Sequence, residues 1–184
     1  MKITIIVGQP ASGKSFLMRA FMKRMGNWFY ESPPYIPHHV HLKNGKIIIA
    51  VGRYDDDLHK FPGTDRMSMA CQPHVVEWLT RCKNHGIDAV FIEGDRLGND
   101  SFIKACQALV GNDLRVDVID ADEAVFARRR KNRQQSEIFL KRCRTKISNV
   151  MHQVLLRGID RRYWWNNSAE DAERILADWM RDRT

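Results

Sequence analysis

Three short stretches rich in apolar residues stand out along the chain, the first with no polar alternation beyond Thr4. They are residues 2–7 (KITIIV), 88–95 (DAVFIEGD) and 114–120 (LRVDVID). Runs of this kind predict strands buried on both faces, as in a parallel sheet. Between them the apolar positions recur at helical spacing. Phe16, Leu17, Phe21 and Met25 share one face after the first run, and Val75, Val76, Leu79 and Cys82 share another over about Ser68–His85, with Gly86 as a stop. Residues 100–110 read as a helix. A long helical stretch runs from about Glu123 to about Leu156, and a last helix over 168–182 opens on a Ser168/Asp171 capping box. Residues 31–38 hold three prolines and read as a loop. HVHLKNGKIIIAVG, which follows, predicts a β-hairpin turning at Asn44-Gly45. A polar loop then spans 53–66. Strands alternating with helices imply an α/β three-layer fold, with a mostly parallel central sheet covered by helices on both sides.

The first strand leads into GQPASGKS, residues 8–15. This matches G-x-x-x-x-G-K-[ST] at every fixed position and lies between a buried strand and an amphipathic helix, the context a phosphate-binding P-loop requires. Gly8 and Gly13 allow backbone conformations in which successive N–H groups face phosphate oxygens. Ala11, Ser12 and Phe16 complete the expected nucleotide contacts. Lys14 is expected on the β- and γ-phosphates and the Ser15 hydroxyl on Mg²⁺. Two further loops carry suitable chemistry. Glu93, Asp95 and Arg96 emerge from the C-terminal end of the second strand, where ligands bind in open α/β sheets. Either Glu93 or Asp95 is then the metal-side carboxylate or a contact to the acceptor. In the 53–66 loop, Arg53, Asp55, Asp56, Asp57, Asp65 and Arg66 lie within fourteen residues. Asp65 is the expected base orienting an acceptor hydroxyl, and Arg66 a phosphate or substrate contact. His39 and His41 share a strand face but lack a third ligand for a metal site.

Composition adds bounds. At 184 residues, with 43% hydrophobic and 28% charged residues, the chain suits one globular domain over 1–184 and excludes disorder, collagen and rod-like coiled coils. The four cysteines have no zinc or disulfide spacing and are expected reduced. With no signal peptide pattern and no membrane-length apolar run, a soluble cytoplasmic protein is expected. The formal charge of +8 is concentrated in one segment. Residues 128–146 hold nine Lys/Arg and one acid, and the rest of the chain has 21 of each sign. This segment follows the third buried strand, the expected place of a mobile lid over about 122–146, where Arg129 and Arg133 would face the phosphates. The surplus (Arg128, Arg130, Lys131, Lys141) suits a nucleic-acid backbone. The aromatic clusters Trp28-Phe29-Tyr30 and Tyr163-Trp164-Trp165 are candidate stacking surfaces.

GQPASGKS, GTDRMSM and EGDR together resemble the small P-loop kinases, and within them the phage-type 5-hydroxymethyluridine DNA kinases. The resemblance spans about residues 3–146. It implies an ATP- and Mg²⁺-dependent kinase that phosphorylates the hydroxymethyl group of a modified pyrimidine in DNA. It also implies nucleotide and metal roles for Lys14 and Ser15, with Asp65, Arg66, Glu93, Asp95 and Arg96 lining the acceptor site. A kinase of a free nucleoside, nucleotide or other small hydroxyl compound is the first alternative. An NTP-dependent nucleic-acid-binding module that transfers nothing is the second.

Overall fold

The computed structural model describes residues 1–31, 36–54, 63–68, 70–131 and 135–184. The elements in order are β1 (Lys2–Gly8), α1 (Lys14–Met25), β2 (Phe29–Glu31), β3 (His38–Lys43), β4 (Lys46–Val51), a 3₁₀ turn at Thr64–Arg66, α2 (Gln72–Asn84), β5 (Ala89–Glu93), α3 (Asp100–Val110), β6 (Leu114–Asp120), α4 (Glu123–Arg130), α5 (Glu137–Leu156), β7 (Asp160–Trp165) and α6 (Ala169–Asp178). One seven-stranded sheet has the order β2-β3-β4-β5-β1-β6-β7. Strands β4, β5, β1, β6 and β7 run parallel to one another. The β2-β3-β4 edge is antiparallel. The fold is α/β, with a mostly parallel sheet flanked by helices. Among the described residues no helix is long and apolar enough to cross a membrane.

β1, β5 and β6 are buried on both faces, as predicted, and in β6 the alternate positions Arg115 and Asp117 are buried as an ion pair. Ile3, Ile5 and Val7 of β1 point into a core with Val75 and Leu79 of α2, Phe102 of α3 and Val154 of α5. Ile6 points the other way, onto Leu17 and Phe21 of α1 and Ile175 of α6. Trp179 fills this second core and is fully buried, with its indole N–H donating to Asp117 at 2.6 Å. Asn44 and Gly45 turn the hairpin with φ of 53° and 74°, the left-handed pair that a two-residue turn needs. Ser168 and Asp171 form the capping box in full.

Several expectations are corrected. The helix expected from Ser68 starts at Gln72, with Pro73 in its first turn, where a missing N–H costs nothing. Residues 31–38 are not all loop, because Glu31 ends β2 and His38 opens β3. The stretch 123–156 is two helices, and the second has its own start signal in the Ser136 hydroxyl, which accepts from the Phe139 N–H. β7 (DRRYWW) was not anticipated. It pairs on one side only, so its side chains are half exposed and lack the apolar run of an inner strand.

Candidate active site

Residues 8–15 connect β1, an inner strand between β5 and β6, to α1. Gly13 is the helix N-cap at φ 97° and has no side chain with which to cap it. The first N–H groups of α1 therefore lack an intrahelical acceptor and a side-chain cap, which is the arrangement that receives anions. Ala11, at φ 71°, is a non-glycine residue in the left-handed region at the top of the loop. Such strain persists where the surroundings over-determine it. Here they do. Ser12 O accepts from the Asn166 carboxamide at 2.8 Å and from Arg129 at 3.1 Å, and Arg129 also donates to Asn166 O at 2.8 Å. A Cβ on Gly13 would lie 2.3 Å from Asn166 Nδ2, so only glycine permits this approach. The buried Lys14 ammonium donates to Gly8 O at 2.8 Å and Gln9 O at 3.1 Å, curled under the loop. Phe16, in the first turn of α1, is exposed.

The Ser15 hydroxyl donates to Glu93 Oε1 at 3.1 Å. Glu93 Oε2 is buried and, among the described residues, has no hydrogen-bond partner within bonding geometry. Burial pushes this carboxyl up to about 7, with the Asp65 and Asp95 charges acting in the same sense and the Lys14 ammonium opposing them. A buried carboxylate oxygen with no partner, next to a hydroxyl, fits a divalent cation, and Ser15 and Glu93 would hold it. Asp95 is partly buried and is bonded here through its backbone. Its backbone N–H donates to Asp65 Oδ1 at 2.7 Å, and its carbonyl accepts from Lys146 at 2.6 Å. Neither acid caps α3; Asn99 does, accepting from the Phe102 N–H.

GTDR and EGDR, about 30 residues apart, meet face to face. Thr64 Oγ1 donates to Glu93 O at 2.9 Å. A Cβ on Gly94 would sit 2.5 Å from Thr64 Oγ1 and 2.9 Å from Asp65 Oδ1, so the turn rests directly on this glycine. Burial, then the Asp95 charge, raises the Asp65 pKa. Arg66 ends the same turn, partly buried, and Arg96 is exposed. Arg53 and Gly63 pair through their backbones. Asp55, Asp56 and Asp57 lie outside the described residues, as does Arg133. Tyr54, unnoticed in the sequence, is buried beside Glu93. Its pKa is raised by burial, then by the Glu93 and Asp65 charges. Its signal was its position just past the C-terminal end of β4.

The basic segment divides. Arg129, Arg130 and Arg144 turn to the loop, with Arg130 on Gln9 Oε1 at 3.1 Å and Arg144 on the same oxygen at 3.1 Å. Arg128, Lys131 and Lys141 are exposed. His41 bonds Asn27 O, and His39 packs between Tyr30 and Tyr54. Among the described residues no group of three or more His, Cys, Asp or Glu side chains could hold a metal ion.

Asn166 was invisible to sequence reasoning because the strand before it was. Asn166→Ala should cost about 1 kcal/mol of stability, for one lost hydrogen bond to a buried carbonyl. It should also weaken nucleotide binding several-fold, since Ser12 and Gly13 lose their clamp. Thermal unfolding and nucleotide titration measure both, and unchanged nucleotide affinity would limit Asn166 to packing.

No protein-family model and no curated protein matches this chain.

Proposed function

We propose that the chain is a P-loop phosphotransferase that moves the γ-phosphoryl of ATP to a hydroxyl, with the 5-hydroxymethyl group of a modified uracil in DNA as acceptor. The observation that carries this reading is the meeting of Lys14, Ser15, Glu93 and Asp65 at the C-terminal ends of β1 and β5. Residues 8–15 suit a triphosphate, and Ser15 with Glu93 suits Mg²⁺. Bound Mg²⁺ would neutralise charge on the phosphate oxygens. Lys14 would leave the carbonyls of Gly8 and Gln9 for the β- and γ-phosphates. Asp65, held by the Asp95 N–H, is fixed in position to accept a hydrogen bond from the acceptor hydroxyl. Catalysis would then be positioning plus electrostatic stabilisation. A base inside a duplex cannot reach such a site, so the acceptor base must be flipped or single-stranded.

One observation favours a free small acceptor instead. Three of the basic residues, Arg129, Arg130 and Arg144, are occupied by the loop and leave less charge for a polymer. One assay decides. The protein is incubated with labelled ATP and DNA containing hydroxymethyluracil, unmodified DNA, or the free nucleoside. Label in the modified DNA is expected. Label on the nucleoside alone would select the small-molecule kinase, and no acceptor label would select a binding module. Asp65→Asn should lower kcat by 10²-fold or more with little change in nucleotide affinity; a defect confined to nucleotide binding would remove Asp65 as the base.

A further inference from the structure

A groove of about 940 Å³ runs between α5 and the start of α3. Ile138, Lys141, Arg142, Lys146 and Asn149 form its α5 wall, Val150 lies in it, and Asn99 and Asp100 face them. From Ile138 to Gln153 the α5 wall is roughly 22 Å long at 1.5 Å per residue. The groove reaches the acceptor side of the site, because Lys146 donates to Asp95 O, and the adjoining Asp95 N–H holds Asp65.

Its charge is one-sided. Lys141 and Arg142 are exposed and, among the described residues, have no ion-pair partner. The acid facing them, Asp100, is already paired with Arg157 through both carboxylate oxygens. Ile138 is 68% exposed at the far end of the wall. Cations above an apolar surface form the combination that follows a single strand, with phosphates on the lysine and arginine heads and bases on the apolar stems. The split of the basic segment explains why these residues are spare. The face of α5 that carries Arg144 serves the glycine loop, and the face that carries Lys141, Arg142 and Lys146 serves this groove.

We infer that this groove is the track for the acceptor polymer, a single DNA strand lying along α5 that delivers its base to Asp65. The inference rests on the DNA-acceptor reading above. The test uses the full chain and a fluorescein-labelled single-stranded 15-mer carrying one hydroxymethyluracil. Binding is measured by anisotropy at several salt concentrations. Lys141→Glu with Arg142→Glu should raise the oligonucleotide Kd about tenfold or more. It should also flatten log K against log salt by about 1.4, at ~0.7 per lost phosphate contact. ATP affinity and thermal unfolding serve as fold controls. Should the charge reversal disturb α5, Lys141→Gln with Arg142→Gln is read the same way. Wild-type Kd and slope in these variants, in a protein that binds and labels the oligonucleotide, would overturn the groove while leaving DNA as the acceptor. An equal loss from Arg128→Glu with Lys131→Glu, outside the groove, would reduce the effect to bulk charge and also overturn it. If the wild-type protein neither binds nor labels the oligonucleotide, the groove and the DNA-acceptor reading fall together.

Discussion

Lys14→Ala is expected to lower phosphoryl transfer by at least about 10³-fold, the scale of losing a cation from a charge-stabilised transition state. The ammonium is buried and bonded to two carbonyls of its own loop, so it is held at the place where phosphate oxygens would arrive. Its loss has a second consequence. Lys14 is the main influence that lowers the Glu93 pKa against burial. Without it, the carboxyl is pushed further up and is more often protonated at neutral pH. Lys14→Ala should therefore lose metal dependence along with turnover. Lys14→Arg should not rescue it, because a planar guanidinium cannot replace a compact ammonium in a closed loop. Turnover is followed with labelled ATP, and near-normal rates would remove the loop from the mechanism.

Glu93→Gln is expected to abolish Mg²⁺-dependent transfer and yet stabilise the protein above neutral pH. The direction follows from linkage. The native carboxyl titrates at about 7 and its ordinary value is 4.5, so between these the native state binds a proton that the unfolded state does not. Stability therefore falls as pH rises from 4.5 through 7, by up to about 3 kcal/mol at 1.36 kcal/mol per unit. Glutamine carries no charge to bury, and its amide oxygen can still accept from Ser15. At pH 8 the variant should melt at a higher temperature than the wild type, with little difference near pH 4.5. In the wild type, Mg²⁺–nucleotide affinity should increase as pH rises through 7 and the carboxylate ionises. Retained metal-dependent activity, or equal melting at pH 8, would show that Glu93 is not the buried metal-side acid.

Much of the frame was legible because its causes are local. The runs in β1 and β5 read as inner strands because successive residues, which face opposite sides of the sheet, are apolar, whereas β6 buries Arg115 and Asp117 on one face by pairing them. The Asn44-Gly45 turn and the Ser168/Asp171 cap are decided within four residues. The loop at 8–15 was legible for the same reason, its glycines and lysine having fixed spacing. The misses have equally specific causes. β7 is an edge strand with one neighbour, and Asp160, Arg161 and Arg162 at its start resemble a surface loop. The break before α5 carried a signal, Ser136 ahead of an apolar helix face, but the density of helix-forming Lys, Arg and Gln around it masked the stop.

The sequence by itself determined which chemical groups are present and the strand ends they occupy. It left Glu93 and Asp95 equivalent, two acids two residues apart on one strand end. Only the tertiary structure separated them, by turning Glu93 to Ser15, 78 residues away, and giving the backbone of Asp95 to Asp65 and Lys146. It also brought Asn166 onto Ser12 across 154 residues, and divided one basic segment between the glycine loop and a groove. The physical reason is the same each time. Local spacing sets the direction of a side chain within its own element, but the order β4-β5-β1-β6-β7 sets which elements stand side by side, and that order follows from how the whole chain buries its two apolar faces.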